Sequence, residues 1–248
     1  MDARKENDPT GTPTMAQVES TFLDFVRLVI HGDIAEVSRR LAANPELARM
    51  ASGGGATRQD AASYFFDDIK HYLYAGDTAL HMAAAAFRQP VAELLIAHGA
   101  DCRARNRRGA EPLHYAADAN RPAFEAQRKT IAYLVSAGAD PNAADDSGVV
   151  PLHRAVRTRS LAAVEALLAA GADPVRPNRA GSTPLHLAVQ PTGRGGSGSE
   201  LAREQQAGII AILLAHGAKP SDRDGKGTPV HEAATSPWVR TLVGGALS

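Results

Sequence analysis

Five hexapeptides of one pattern recur along the 248-residue chain, and no other feature constrains its fold so tightly. Thr78-Ala79-Leu80-His81-Met82-Ala83, Glu111-Pro112-Leu113-His114-Tyr115-Ala116 and Val150-Pro151-Leu152-His153-Arg154-Ala155 come first. Thr183-Pro184-Leu185-His186-Leu187-Ala188 and Thr228-Pro229-Val230-His231-Glu232-Ala233 follow. Successive histidines lie 33, 39, 33 and 45 residues apart. A second marker keeps phase with the first: Gly99-Ala100-Asp101, Gly138-Ala139-Asp140, Gly171-Ala172-Asp173 and Gly217-Ala218. Where no extra residues intervene, the Gly follows its His by 18 residues. Self-similarity at such a period marks an array of stacked units rather than one irregular core.

Each marker has a local physical meaning. Proline suits the first turn of a helix, where its missing N–H has no intrahelical partner to lose. Thr or Ser before it is a capping residue, and the small Ala after it lets neighbouring helices approach. Val164, Leu167 and Leu168, like Ile209, Ile212 and Leu213, fall on one face of a 3.6-residue period, which predicts a second helix. The Gly beyond supplies a left-handed terminus, and Asp140-Pro141-Asn142 are turn formers. The unit is helix, tight turn, helix and projecting loop. Alone it leaves its apolar face wet, so stacking is obligatory.

Five motifs in phase, each followed by the Gly-Ala marker, resemble the ankyrin-repeat family over about residues 22–243. The resemblance implies an all-α solenoid of six helix-turn-helix repeats with inter-repeat hairpin loops and three insertions. The repeats fall near 22–49, 76–108, 109–147, 148–180, 181–226 and 227–245, in a single domain over 21–248 after a disordered tail at 1–20. It also implies that the motif histidines are structural hydrogen-bonding residues, and that loops and first helices line a concave face used for partners. The first repeat lacks the motif, but Phe25, Val26, Leu28, Val29, Ile34, Val37 and Leu41 keep its apolar pattern. Glu36, Arg39 and Arg40 give it the wet outer face of a terminal repeat. The last repeat closes with Pro237, Trp238, Val239, Leu242 and Val243 before Gly244-Gly245.

Three insertions break the period, and such inserts map to loops, often functional ones. The first, at 50–75, opens with the flexible run Ser52-Gly53-Gly54-Gly55 and continues into Tyr64, Phe65, Phe66, Tyr72 and Tyr74, five of the chain's twelve aromatics. Two roles fit: a cover over the seam beside the first repeat, or a finger whose rings anchor a partner at low entropic cost. A mixture is expected, with Tyr64–Phe66 packed inward and Tyr72 and Tyr74 nearer the concave face. The second insertion, 120–129, and the third, 190–206, fall between the two helices of their repeats. Gly193-Arg194-Gly195-Gly196-Ser197-Gly198-Ser199 lacks the Lys-Ser/Thr end of a phosphate loop and a preceding strand, so it reads as a solvated loop.

Arginine is the other cluster. Arg103, Arg105, Arg107 and Arg108 share one inter-repeat loop, Arg154, Arg157 and Arg159 lie in and after the fourth first-helix, and Arg176 and Arg179 occupy the next loop. A guanidinium stripe on the partner face suits acidic peptides, because each fork binds a carboxylate bidentately. A solvated, locally balanced surface fits as well, since Asp101, Glu111, Asp140, Asp145 and Asp146 are close in sequence. The candidate partner-binding residues are therefore Tyr72, Tyr74, Arg103, Arg105, Arg107, Arg108, Arg154, Arg157, Arg176 and Arg179.

Other chemistry is weak. Motif histidines one repeat apart stand about 10 Å from each other, too far to share a metal. Asp67, Asp68 and His71 could meet a metal on one helical turn, but the signal is too weak to assign, and His98 and His216 read as helix-terminus partners. No nucleophile elbow, kinase signature or Walker loop occurs, so no catalytic, cofactor or metal residue is assigned and the chain is expected not to be an enzyme. Cys102 is the lone cysteine, which precludes an intrachain disulfide. Lys plus Arg equals Asp plus Glu at 27 each, which disfavours nucleic acid as a partner. The polar stretch 1–20 and the lack of a long apolar run predict a cytoplasmic protein without membrane partners. The expected function is a monomeric, non-catalytic scaffold for a protein or peptide. The alternative is an acidic-ligand or nucleic-acid binder working through the arginine stripe.

Overall fold

The computed structural model describes residues 14–118, 123–191 and 198–244. Within them α-helices follow in pairs: α1 (Met15–His31) with α2 (Ile34–Ala43), α3 (Ala79–Ala85) with α4 (Gln89–Ala97), and α5 (Pro112–Ala117) with α6 (Phe124–Ser136). Then come α7 (Pro151–Arg157) with α8 (Leu161–Ala169), α9 (Pro184–Ala188) with α10 (Glu200–Ala215), and α11 (Val230–Ala233) with α12 (Pro237–Gly244). Odd-numbered helices pack in one rank from α1 to α11, even-numbered helices in a second from α2 to α12. The six expected repeats form one stack, and the inserts do not divide it.

The motif residues build this geometry as their chemistry dictates. Pro112, Pro151 and Pro184 each open a helix at its first turn. Inside the helix, Nδ1 of the motif His accepts the backbone N–H three residues earlier, from Thr78, Glu111, Val150 and Thr183 in turn, at 3.1–3.2 Å. That fixes the proton on Nε2, which donates to a carbonyl of the next repeat: Ala110, Val149, Ser182 and Thr228. The imidazole, rather than the Thr hydroxyl, is the recurring cap, since Glu and Val serve equally at that position. In the last repeat His231 turns Nδ1 to the Pro220 carbonyl instead.

The projecting loops share a turn. Oδ1 of Asn106, Asp145, Asn178 and Asp224 each accepts two backbone N–H groups, from the residues two and four positions ahead. The glycine three residues on takes a left-handed φ of 71–80°, a conformation that side chains disfavour. Successive loops are stitched by backbone bonds from Arg107 N–H to Ala75, Asp146 to Arg108, Arg179 to Ser147 and Gly225 to Ala180. Within repeats two and four the helix-to-helix turn rests on non-glycine left-handed residues, Phe87 and Arg159. Repeats three and five carry their insertions at that place.

Three expectations change. The helix reaches back to Met15, capped by the Thr14 hydroxyl at Gln17 N–H, so residues 15–20 are helical rather than tail. Residues 1–13 lie outside the described residues. The ends of the second and third insertions are helix rather than loop: 124–129 and 200–206 lengthen α6 and α10, while 120–122 lie outside the described residues. Gln127 and Gln206, on these extensions, donate to the Ala116 and Ala188 carbonyls at the ends of the preceding first helices. Most of the glycine-rich loop, 192–197, lies outside the described residues. Finally, Ser52–Gly55 is held rather than free. Ser52 exchanges backbone hydrogen bonds with Asp77 and Gly76, and Glu19 of α1 accepts from both the Ser52 hydroxyl and the Gly53 N–H. At Gly55 an added Cβ would fall 2.3 Å from Ala75 N.

The remainder of the first insertion forms a short hairpin, β1 (Phe65–Phe66) antiparallel to β2 (His71–Tyr72), with Phe65 opposite Tyr72. Ile69 and Leu73 bury fully in the core, and Tyr64, Phe66 and Tyr74 pack partly against it. Only Tyr72 of the five aromatics is exposed, so the insert covers the core and leaves one ring turned outward.

Candidate partner-binding groove

The insert hairpin meets the loop of repeat two and the first helices of repeats three and four around a depression of about 590 Å³. Its floor is a buried polar knot. Asp77 is fully buried, and its carboxylate accepts the Tyr115 hydroxyl at 2.8 Å, Asn106 Nδ2 at 2.9 Å and the Tyr74 backbone N–H at 2.6 Å. One residue thus ties the end of the insert, the loop tip and α5 together. The His71 ring lies 4.7 Å from that of Tyr115, and His81 meets the same ring edge-on at 5.0 Å. Burial lowers the pKa of both histidines, so they stay neutral, and burial with the Asp77 carboxylate raises the Tyr115 phenol well above its usual value. A buried charge so fully hydrogen-bonded is a rigid joint.

One wall is ionic. Arg154 on α7 pairs with Asp118 at 2.9 Å and Asp145 at 3.3 Å, and Arg157 pairs with Asp118 at 3.4 Å. Burial opposes the Arg154 charge, but the two carboxylates outweigh it and hold its pKa above the ordinary arginine value. The mouth is aromatic and basic. Tyr72 packs at a tilt against Phe65, with centroids 4.8 Å apart, and lies 6.3 Å from Tyr74. Arg108 sits over the Tyr74 ring at 4.1 Å and Arg107 over it at 5.6 Å. Beyond them a second hollow, of about 400 Å³, is lined by Ala56, Ala61 and Arg58 as well as by Tyr72 and Tyr74.

The ten candidate residues therefore part company. Tyr72, Tyr74, Arg107, Arg108, Arg154 and Arg157 line the depression. Arg103 instead donates to the Gly138 carbonyl, and Arg105 faces Asp146 and Glu111. Arg176 and Arg179 are exposed in the next loop, outside it. Asp118, Asn106, Tyr115 and Lys70 complete the groove and were not foreseen. Asn106 carried a signal, the Asx-to-Gly turn shared by four loops. Asp118 carried none, because it reaches Arg154 across 36 residues. Asp67 and Asp68 lie on a surface turn while His71 points inward, so these three do not converge. His98 and His216 donate to last-turn carbonyls, Leu94 and Ile212.

With this geometry in place, comparison with known proteins becomes decisive. A family model of three ankyrin-repeat copies matches residues 47–145 and 123–195, and a single ankyrin repeat matches 180–225. The chain belongs to the ankyrin-repeat family. Ankyrin repeats are generally protein–protein interaction modules, and the structure extends the matched array by α1–α2 before it and α11–α12 after it. The chain is also similar to the E3 ubiquitin-protein ligase KEG of Arabidopsis thaliana, 41% identical over 81 residues. That stretch is 33% of this chain and 5% of the ligase. Among the described residues no helix is long and apolar enough to cross a membrane.

Proposed function

We propose that this ankyrin-repeat protein is a cytoplasmic, non-catalytic scaffold that holds a protein or peptide partner in the groove between its insert hairpin and its loops. The observation that carries this reading is the rigid setting of Tyr72. The residue is 37% exposed, yet its neighbours Ile69, His71 and Leu73 are buried and Phe65 backs its ring. An aromatic ring held outward on an anchored hairpin loses little freedom on binding, which is the profile of an interface hot spot. The groove's buried titratable groups are locked in hydrogen bonds rather than presented to a substrate, which favours holding over chemistry.

The test is affinity capture from native lysate with the full chain and with a Tyr72→Ala, Arg108→Ala variant. A partner retained by the first and depleted about tenfold or more with the second is the expected result for a hot spot. Identical captured sets from both baits, at equal melting temperature, would remove the groove from consideration.

A further inference from the structure

We infer that the groove recognises carboxylate groups of an acidic peptide, through a guanidinium pair formed by Arg107 and Arg108 against Tyr74, with an adjoining apolar slot at Tyr72. This rests on the groove being the partner site.

Ion pairing sorts the cations around it. Arg154 and Arg157 are matched by Asp118 and Asp145, Arg105 by Asp146 and Glu111, and Lys70 by Asp67. Arg58, Arg107 and Arg108 line the outer hollow, and among the described residues none of the three has a salt bridge. Among the cations lining the two hollows, the unpaired charge thus sits at the mouth; Arg103, Arg176 and Arg179 of the stripe also have no salt bridge among the described residues but lie outside both hollows.

The pair is also held ready. Both guanidinium carbons lie within 5.6 Å of one ring centroid, and Arg107 Nη2 donates to the Ala56 carbonyl at 2.7 Å. The Arg108 backbone is fixed by Asn106 Oδ1 and by the Asp146 N–H. Stacking on a tyrosine face occupies the guanidinium plane and leaves its edge, where the N–H donors point, open to a carboxylate. Two like charges over one ring repel each other, and an arriving anion removes that repulsion. Beside them Ala56, Ala61 and the exposed Tyr72 face offer an apolar contact. The ligand that fits carries Asp or Glu, or a free C-terminus, next to an aliphatic or aromatic side chain. A nucleic-acid strand fits less well: its regularly spaced phosphates need a run of cations, and Asp118, Asp145 and Asp146 interrupt the groove's lining.

Panning the full chain against random peptides tests this, with peptides displayed either internally or with a free C-terminus. Enrichment of Asp or Glu beside Leu, Phe or Trp in the internal format assigns side-chain carboxylates. Enrichment confined to the free-terminus format assigns the terminal carboxylate, and either supports the inference. A synthetic copy of the enriched peptide should lose affinity by about tenfold or more for each guanidinium removed, in Arg108→Gln and then in the Arg107→Gln, Arg108→Gln variant. Arg203→Gln, an exposed change on α10, should leave binding unaltered. No acidic enrichment, retention of binding by the double variant, or displacement of the peptide by a mixed-sequence oligonucleotide at physiological salt overturns the inference. If acidic preference fails while Tyr72-dependent capture from lysate persists, the groove remains the partner site and only its ligand chemistry is wrong.

Discussion

At the scale of single residues the motif imidazoles do most of the joining, and their burial makes the joints sensitive to acid. The rings of His81, His114, His153 and His186 accept on Nδ1 and donate on Nε2, a pattern that only the neutral form satisfies. Burial lowers the pKa of His71, His81 and His153, and burial followed by the Arg154 charge lowers that of His114 to about 4. In the unfolded chain these groups titrate near pH 6.5. Below that value the unfolded state binds protons that the native state refuses, so stability falls as pH falls. For His114 the decline runs from about pH 6.5 to about 4, and amounts to about 3 kcal/mol on the scale of 1.4 kcal/mol per pH unit. Urea unfolding from neutrality down toward pH ~4.5 should show this slope, and His114→Ala should reduce it by one proton's worth. Equal slopes in the two proteins would mean that His114 is not held neutral. This role was legible in the sequence through the resemblance to ankyrin repeats, which the five motifs in phase carry and which implies a structural histidine. The pairing of Arg154 with Asp118 was not, since it depends on which faces of α5 and α7 meet.

At the scale of elements, the insert hairpin divides its labour by alternation. Ile69, His71 and Leu73 point in, while Lys70 and Tyr72 point out. Leu73→Ala should therefore cost about 2–5 kcal/mol, the range for emptying a packed aliphatic site. Tyr72→Ala, on the other face, should cost less, about 0.5–1.5 kcal/mol for the loss of its ring pair with Phe65. Thermal or urea unfolding of the two variants decides it, and similar losses in both would mean that the hairpin face is misassigned. The broken repeat period and the aromatic crowding made the insert visible beforehand. Its direction was not, because residues 51–56 fold back to pair with 73–78, and period-2 patterning is too short here to show a strand. The glycine run misled for a related reason. Glycine permits both a free loop and a close backbone approach, and Gly55 serves the second. The other two insertions likewise look polar in sequence, yet Gln127 and Gln206 are buried and anchor the lengthened helices: Gln127 donates to Ala116 and accepts from Ser160, and Gln206 donates to Ala188.

At the scale of the whole molecule, a stack in which each repeat touches only its neighbours has stability that is local before it is global. The middle of the array is the best supported: all seven residues of α3 are buried, and α5 and α7 carry complete His bridges on both sides. The far end is weaker. α11 has four residues with only Val230 buried, and His231 leaves the bridging pattern to bond Pro220. The four backbone bonds that stitch successive loops sample this gradient at equivalent sites, from Arg107 and Asp146 through Arg179 to Gly225. Their N–H groups have like geometry, with N···O distances of 3.0–3.1 Å, so differences in exchange report the opening of the repeats that hold them. Native-state hydrogen exchange should place the opening free energy of Gly225 at least about 1–2 kcal/mol below that of Asp146, with Arg107 held highest by the Asp77 knot. A partner seated between the hairpin and the loop of repeat two should then raise protection at Arg107 and Asp146 while leaving Gly225 unchanged, because coupling down the stack passes only through neighbours. Equal protection at all four amides, free and bound, would show that the chain opens as a single cooperative body.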